Sequence, residues 1–353
     1  MRYVIIGAGA IGGAIGGRLH DSGHDVLMVA RGAQYAALSE RGLRLVTPDG
    51  MLDLPVPVAA GPDAVRLHPD DVLILAVKTQ DSVAALDAWA PRPVAGGGTA
   101  ADRLPLICAQ NGVANERLAL RRFRRVYGMC VVLPASFLEP GVVAAPCAPY
   151  TGVLTVGRYP APAAGGAAVP AADAGAVPAA DGGADQVLRR FAAAAEKSVF
   201  LAPVVPDVMR WKYAKLLANL GNAVEAICGL GGGSQAMALA QRAAAEGAAV
   251  LDAAGIDRVG PAELRVSREG KVDVRPLDGA WAGGGSSWQS VVRGTGSIEA
   301  DYLNGEIVLL GRLHGVPTPV NETLRRVAND CARGRRAPGE MSPAQLAEAM
   351  GSE

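Results

Sequence analysis

Short apolar runs joined by longer, mixed connections dominate the first half of the chain. They predict buried strands at 2–6, 72–77 and 104–109, with a helix ending near Gly23 and a second strand at 25–30 after the first run. Two more strands are predicted at 127–133 and 152–157. Apolar strands that alternate with helices are typical of a parallel sheet covered on both faces. The pattern predicts an α/β fold whose N-terminal domain is a Rossmann-type, doubly wound parallel sheet.

Beyond about residue 206 the apolar positions follow the helical period instead. They predict helices at 207–230, 235–254, 297–314 and 321–332, with a Gly- and Pro-rich break in the middle. We therefore expect a first domain over 1–203, an all-helical C-terminal domain over 204–333 and a loose tail over 334–353. Between about 160 and 185 the composition falls to Ala, Gly, Pro and Asp, which predicts a flexible surface insertion.

Composition and charge exclude several classes of protein. The 353 residues carry 34 basic and 34 acidic side chains in balance, so neither nucleic acid nor an anionic membrane is an expected partner. No stretch of about 20 strongly apolar residues could span a bilayer. The five cysteines are widely spaced and the four histidines have no metal-site spacing, so we expect reduced thiols, a cytoplasmic location and no bound metal.

A glycine-rich turn joins the first predicted strand to the first predicted helix. In that context its Gly-x-Gly-x-x-Gly spacing is the fingerprint of a dinucleotide-binding turn, formed here by Gly7, Gly9, Ala10, Ile11 and Gly12. The first glycine permits the tight turn, the second lets a pyrophosphate approach the backbone, and the third lets helix and strand pack closely. The phosphates would lie at the helix N-terminus. The alternative is a purely structural turn in a chain rich in alanine and glycine.

The residue that follows the second strand bears on which dinucleotide binds. Proteins that bind NAD place an acidic residue there, whereas this chain has Arg31. A guanidinium can pair with a 2′-phosphate, so the sequence predicts NADPH as the cofactor; an ordinary exposed arginine is the alternative. Lys78 and Asn111 directly follow two further strands, which places them at the same carboxyl edge of the sheet, where ligands bind.

Several motifs, in this order, resemble the ketopantoate reductase (2-dehydropantoate 2-reductase) family over most of the chain. Besides the glycine turn they are the stretches 76–80 (AVKTQ), 110–112 (QNG), 215–219 (KLLAN), 286–287 (SS), 299–305 (EADYLNG) and 314–319 (HGVPTP). The resemblance implies that Lys215 is the general acid and that Glu299 holds this lysine and the substrate hydroxyl. It also implies that Asn219 and Ser287 bind the substrate, and that Asn111 lies near the nicotinamide, within reach of substrate and cofactor.

The helix predicted around Lys215 gathers its polar residues on one side. At 100° per residue, Lys215, Asn219 and Asn222 lie within an arc of about 60°. This arc either lines a polar cleft, with Asn222 as a further substrate ligand, or faces bulk solvent. The chain departs from the family here, because Trp211 precedes Lys215 by four residues instead of two and Asn222 stands one position before the family's second asparagine. Lys212 is a rival for the acid role.

Together these observations predict an NADPH-dependent reductase of a small 2-keto acid, with ketopantoate, reduced to pantoate, as the leading substrate that the resemblance implies. Hydride addition to a ketone develops alkoxide charge, which a positioned ammonium stabilises and protonates. The alternatives are a reductase of another branched 2-keto acid and a non-catalytic NADP-sensing protein. For Glu299 the residues alone favour a first-turn acid that stabilises a helix dipole. The oligomeric state stays open, with a homodimer as one alternative.

Overall fold

The computed structural model describes residues 1–162, 186–277 and 283–351. Strands and helices alternate through the first of these ranges, as the apolar pattern predicts. The strands in chain order are β1 (Arg2–Ile6), β2 (Val26–Val29), β3 (Leu43–Thr47), β4 (Gly50–Leu54), β5 (Val58–Ala59), β6 (Asp71–Leu75), β7 (Pro105–Cys108), β8 (Arg125–Val132), β9 (Ser136–Glu139), β10 (Val142–Ala144), β11 (Cys147–Pro149), β12 (Gly152–Tyr159), β13 (Phe200–Leu201) and β14 (Val272–Val274).

Helices fill the connections between strands and most of the second half of the chain. Short 3-10 helices lie at Pro62–Ala64, Thr79–Asp81 and Glu299–Tyr302. The α-helices in chain order are α1 (Ala10–Asp21), α2 (Gly32–Arg41), α3 (Ser82–Trp89), α4 (Ala100–Arg103), α5 (Asn115–Leu120), α6 (Gln186–Lys197), α7 (Val208–Asn219), α8 (Asn222–Cys228), α9 (Gly233–Ala253), α10 (Pro261–Val266), α11 (Ser286–Val292), α12 (Asn304–His314), α13 (Pro319–Arg333) and α14 (Pro343–Gly351).

The main sheet has eight strands in the order β13-β12-β8-β7-β6-β1-β2-β5. Neighbouring strands are parallel except for β12, which runs antiparallel to β8. The chain therefore winds outward from β1 in both directions, as in a doubly wound sheet. Apolar side chains of α1 and α6 cover one face of the sheet, and those of α3 and α5 cover the other. The predicted doubly wound α/β fold is confirmed.

A second sheet, with the strand order β4-β3-β10-β9, packs against α1. The approach is so close that a Cβ at Gly13 would lie 2.7 Å from Cγ2 of Val143 on β10. Sequence reasoning did not predict this sheet, because its central pairing joins β3 to β10 from a distant part of the chain. Such non-local pairing leaves no local period to recognise.

The helices beyond β13 form a second core, to which α7, α8, α9, α12 and α13 contribute. The helix predicted over 207–230 is in fact two helices, because α7 ends at Asn219 and α8 begins at Asn222. Gly221 lies between them, where its low helix propensity favours a break and a Cβ would lie 2.9 Å from that of Ala240. The helix predicted over 297–314 likewise opens as a 3-10 turn, and α12 begins only at Asn304.

The last residues depart from the predicted loose tail. The segment contains α14, whose Leu346 is fully buried and whose Met350 is nearly so in the second core. The prediction of a loose tail is wrong for this helix. Its apolar stripe is only two residues long, Leu346 and Met350 at i,i+4 spacing, which is too short to stand out in a polar segment broken by Pro and Gly.

Three further expectations meet the structure in different ways. The insertion predicted at about 160–185 lies outside the described residues after Pro162. None of the described helices combines the length and apolar character needed to cross a bilayer. The predicted domain boundary at 203–204 falls in the segment between Leu201, where the main sheet ends, and Val208, where the first helix of the second core begins. Within this segment Val204 forms an isolated bridge with Val156 of β12.

Candidate active site

The glycine turn lies where β1 meets α1, at the carboxyl edge of the main sheet. Gly7 has a φ of 103°, and a Cβ there would lie 2.9 Å from the backbone nitrogen of Val77. At Gly12 a Cβ would lie 2.0 Å from the carbonyl oxygen of Gly7. The start of α1 can therefore pack against the turn only because residue 12 has no side chain. Gly9 is different, because no atom lies within 4 Å of its Cβ position. The three glycines therefore have the turn, approach and packing roles that a dinucleotide-binding turn requires.

The first turn of α1 leaves its backbone donors available. Gly9 is the N-cap and offers no side-chain hydrogen bond, and no acidic residue stands in the first turn, which starts with Ala10 and Ile11. Ile11 is half-buried and packs against the sheet core, which fixes the start of the helix. Unpaired N–H groups at the start of a helix favour an anion through their partial positive charge.

Arg31, Lys78 and Asn111 all follow main-sheet strands, as predicted, and differ in what they contact. Arg31 is the N-cap of α2 and is exposed, and its guanidinium makes no hydrogen bond or ion pair within the described ranges. Lys78 donates a hydrogen bond to Oγ of Ser290 on α11. Asn111 accepts a hydrogen bond from Nζ of Lys215 on α7. Two strand ends of the sheet thus hold side chains of the second core.

Lys215 joins the second core to this edge of the sheet. It is half-buried, and Oδ1 of Asn111 holds its ammonium at the carboxyl edge of the sheet. Burial lowers the pKa of the Lys215 ammonium below its usual value; the charge of Lys212 acts in the same direction and that of Glu299 opposes it. A lysine of lowered pKa, held beside a neutral amide rather than a carboxylate, gives up its proton more readily than an ordinary lysine and is a candidate general acid.

Lys212 occupies a different environment, although it lies less than one turn from Lys215. Its ammonium forms an ion pair with Oε1 of Glu116 on α5 and donates to the carbonyl oxygen of Gln110 at 3.1 Å. Both side chains of the pair are almost completely excluded from solvent. This ion pair fixes α7 against α5 and the turn that carries Asn111, which leaves Lys212 unavailable for proton transfer.

Glu299 is buried, and its hydrogen bonds go to Thr79 rather than to Lys215. Its Oε1 accepts from the backbone nitrogen of Thr79 at 3.0 Å and from the threonine hydroxyl at 2.9 Å. Nδ2 of Asn115 donates to that hydroxyl at 3.0 Å, which orients it toward the carboxylate. Burial lowers the pKa of Lys78, and the negative charge of Glu299 partly offsets this effect. The negative charge of Glu299 therefore acts on both Lys78 and Lys215 and favours their protonated forms.

Besides Asn111, the residues predicted to bind substrate lie on three helices, α7, α8 and α11. Asn219 ends α7, and its Nδ2 is buried without a hydrogen-bond partner. Asn222 begins α8 with Oδ1 close to Gly285, so it does not continue the polar side of α7 as one unbroken helix would have placed it. Ser287 is buried in α11, and the neighbouring Ser286 hydroxyl has no partner. Unsatisfied buried polar atoms such as these are those that a polar ligand would satisfy.

Three residues of the site were not singled out from the sequence. Thr79 orients Glu299, Ser290 receives Lys78, and Glu116 pairs with Lys212. Ser290 could have been found, because it stands three positions after Ser287 on one helix face. Nothing in the sequence marks Glu116, because a pair formed between distant segments leaves no spacing signal.

Comparison with known proteins decides the family. The model of the family described as "Ketopantoate reductase PanE/ApbA" matches residues 3–160, and that of its C-terminal domain matches residues 207–331. The chain belongs to the ketopantoate reductase family. It is accordingly an oxidoreductase of the 2-dehydropantoate 2-reductase type, and the predicted family is confirmed.

Individual relatives cover almost the whole chain. The 2-dehydropantoate 2-reductase of Pyrococcus horikoshii is 25% identical over 336 residues, 91% of this chain and 94% of that protein. The crystal structure of a ketopantoate reductase from Ralstonia eutropha superposes with a TM-score of 0.71 at 25% identity, covering 95% of this chain and all of that one. D-mandelate dehydrogenase bound to NADH and anilino(oxo)acetate shares the fold, with a TM-score of 0.73 at 19% identity over 96% of this chain and 100% of its own.

Proposed function

We propose that this protein reduces a small 2-keto acid to the 2-hydroxy acid with NADPH, and that 2-dehydropantoate, which gives pantoate, is its leading substrate. One observation carries the proposal: the ammonium of Lys215 is bound to Asn111 at the sheet edge that also carries the glycine turn. A proton donor held beside a dinucleotide-binding turn is what ketone reduction requires. The names of the relatives supply the choice of substrate.

The residues at the glycine turn fit a dinucleotide. The open space at Gly9 admits a pyrophosphate to the backbone, and the uncapped start of α1 offers it N–H donors. Arg31 is exposed and unpaired at the end of β2, so its guanidinium is available for a 2′-phosphate. Lys78 and Asn111 extend the same edge toward the nicotinamide end. When bound, the cofactor supplies the hydride for the carbonyl carbon of the substrate.

The protein's part in the chemistry is to supply the proton and to hold the charges. As the carbonyl carbon gains a hydride, its oxygen becomes an alkoxide and takes a proton from the ammonium of Lys215, which is left as an amine until solvent reprotonates it. Asn111 orients the ammonium, and Glu299 favours its protonated form electrostatically. Asn219, Asn222 and Ser287 bind the polar groups of the substrate, and the unpaired amide of Asn219 is one donor free to do so.

The proposal is tested by measuring NADPH and NADH oxidation against a panel of 2-keto acids that includes 2-dehydropantoate. We expect the highest kcat/KM for 2-dehydropantoate with NADPH. A higher value for another branched keto acid would keep the reaction and replace the substrate. Tight NADPH binding without turnover on any member would favour a non-catalytic sensor instead. A homodimer and a cytoplasmic location stay predictions that this assay does not address.

A substitution at Arg31 tests the choice between NADPH and NADH. Arg31→Ala should raise the KM for NADPH far more than that for NADH, because only NADPH carries the 2′-phosphate. Arg41→Ala removes an equally exposed arginine from the other end of α2 and should change neither value. Equal effects of Arg31→Ala on both coenzymes would remove this residue from the 2′-phosphate site.

A further inference from the structure

A small pocket lies at the edge of the main sheet opposite the glycine turn. It forms where β1 and β2 begin, whereas the cofactor edge is where the same strands end. The cavity measures about 300 Å³. It is lined by Met1, Tyr3, His24, Arg190, Ala193, Ala194 and Lys197. None of these residues belongs to the candidate active site, so the pocket requires an explanation of its own.

Two buried polar atoms of the pocket lack partners. Tyr3 is 1% exposed, and its hydroxyl makes no hydrogen bond; Nε2 of His24 is likewise buried and unpaired. With the ring proton on Nδ1, the unpaired Nε2 of His24 is the atom that offers a lone pair to a ligand. The Tyr3 ring is held edge-on between His24 and Phe191, with centroid separations of 6.2 Å and 6.0 Å. A fixed, buried phenol without a partner is costly unless something binds it.

Two cations complete the lining. Arg190 and Lys197 stand seven residues apart on α6 and share one helix face with Ala193 and Ala194. The two alanines leave space between the long side chains, and neither cation forms an ion pair within the described ranges. Both cations act on the pocket electrostatically. Burial lowers the pKa of His24, and the charge of Lys197 lowers it further. Burial raises the pKa of Tyr3, and the charge of Arg190 opposes this larger effect. Among the described residues, the positive charge of the pocket is therefore not compensated by an ion pair.

We propose that this pocket binds a small phosphate-type oxyanion, at a site separate from the cofactor edge. Arg190, Lys197 and the Tyr3 hydroxyl are donors to phosphate oxygens. Neutral His24 offers a lone pair at Nε2, which a P–OH group of singly protonated phosphate or of a phosphate monoester can satisfy. A carboxylate ion has no such hydrogen, so phosphate matches the set of groups better than a carboxylate does. The site makes no use of the proposed reductase chemistry and is independent of it.

The test reads binding directly at His24 in the full-length protein. The chain has four histidines, so imidazole NMR signals are few and His24→Gln assigns one of them. Inorganic phosphate is titrated at constant ionic strength and pH, and acetate is titrated in the same way as a representative carboxylate. The signal of His314, at the end of α12, serves as the reference. Because the glycine turn also accepts phosphate, a signal at the opposite edge is needed to assign the site.

We expect a saturable shift of the His24 signal with phosphate, none with acetate and none at His314. Arg190→Gln should weaken phosphate binding about tenfold to a hundredfold, as the loss of a charge-assisted hydrogen bond does. Arg242→Gln removes an equally exposed, unpaired arginine from α9 and should leave the affinity unchanged. Tyr3→Phe should keep or raise the melting temperature in phosphate-free buffer and still weaken phosphate binding. An equal response to acetate, or an affinity unaffected by Arg190→Gln and Tyr3→Phe, would overturn the proposal.

Discussion

Two lysines less than one turn apart on α7 contact different partners. Lys215 is half-buried and donates to the neutral amide of Asn111, whereas Lys212 forms an almost fully buried ion pair with Glu116. Helical spacing and the family motif favour Lys215 over Lys212 from sequence alone. The partner of Lys212 could not be predicted, because Glu116 lies in another helix and carries no local signal. At this scale the sequence indicates which residue types are present, and the tertiary contacts decide what each can do.

Removal of Lys215 tests its role as proton donor. Lys215→Ala should lower kcat by a factor on the order of 100 to 10,000, the range for positioned acid catalysis, while NADPH affinity stays close to wild type. Asn219→Ala should weaken the use of keto acid without weakening cofactor binding, since its amide has no protein partner to lose. Single-turnover kinetics and coenzyme titration separate the two effects. If Lys215→Ala kept wild-type turnover, the acid would have to be another residue.

The pH profile of reduction carries the same information without a substitution. Lys215 donates its proton only while charged, so kcat/KM for reduction should fall as pH rises through its pKa. Because burial lowers that pKa, the fall should be centred below the ordinary lysine value of about 10.4. Oxidation of the 2-hydroxy acid needs the amine and should rise over the same pH range. A reduction rate that stayed constant up to the ordinary lysine value would contradict the assignment.

The Lys212–Glu116 pair predicts a loss of stability rather than of proton transfer. Lys212→Ala leaves a buried carboxylate without its counter-charge, which costs about 3–5 kcal/mol of unfolding free energy in such pairs. Replacement of both partners by apolar residues, Lys212→Met with Glu116→Leu, should cost much less than the single change. Urea denaturation measures both variants. Equal losses for the single and double changes would show that the unpaired carboxylate of Glu116 is not the cause of the loss.

At the scale of whole elements, prediction succeeded where a period is long and local. The strands β1, β6 and β7 and the helix α9 were predicted within a few residues, because each is a continuous apolar run or a long periodic segment. Prediction failed at the break between α7 and α8, where a single glycine ends the helical pattern and moves Asn222 to the start of a new helix. It also failed for β3 and β10, whose pairing is non-local, and for α14, whose stripe is short.

The helix α14 permits a matched test of its packing. Leu346→Ala should lower the free energy of unfolding by about 2–5 kcal/mol, because it empties a fully buried position. Leu230→Ala makes the same chemical change at a position that is 49% exposed and should stay within about 0.5 kcal/mol of wild type. Both values come from urea denaturation. If Leu346→Ala lowered the free energy of unfolding as little as Leu230→Ala, α14 would not be packed in the core and the segment would be the loose tail that the sequence predicts.

At the scale of the whole molecule, the site exists only where the sheet edge meets the helical core. The contacts that join the two at the site include Asn111 with Lys215, Lys78 with Ser290, and Thr79 with Glu299, and the Lys212–Glu116 ion pair lies beside them. Sequence could place each residue at a strand end or on a helix, but it could not pair them, since the partners are far apart in the chain. The 3-10 turns at 79–81 and 299–302 are therefore joined through the carboxylate of Glu299.

Thr79 tests whether that connection positions the catalytic groups. Thr79→Val keeps the backbone donor to Glu299 and removes the hydroxyl donor at 2.9 Å, which should cost about 1–3 kcal/mol of stability because a buried carboxylate loses a partner. With Glu299 less firmly held, kcat for keto-acid reduction should fall while the KM for NADPH changes little, since the glycine turn is untouched. Thr79→Ser restores the hydroxyl and should recover kcat even where stability recovers only in part. If Thr79→Val lowered stability but left kcat at the wild-type value, the contact would join the two cores without positioning Glu299 for the reaction.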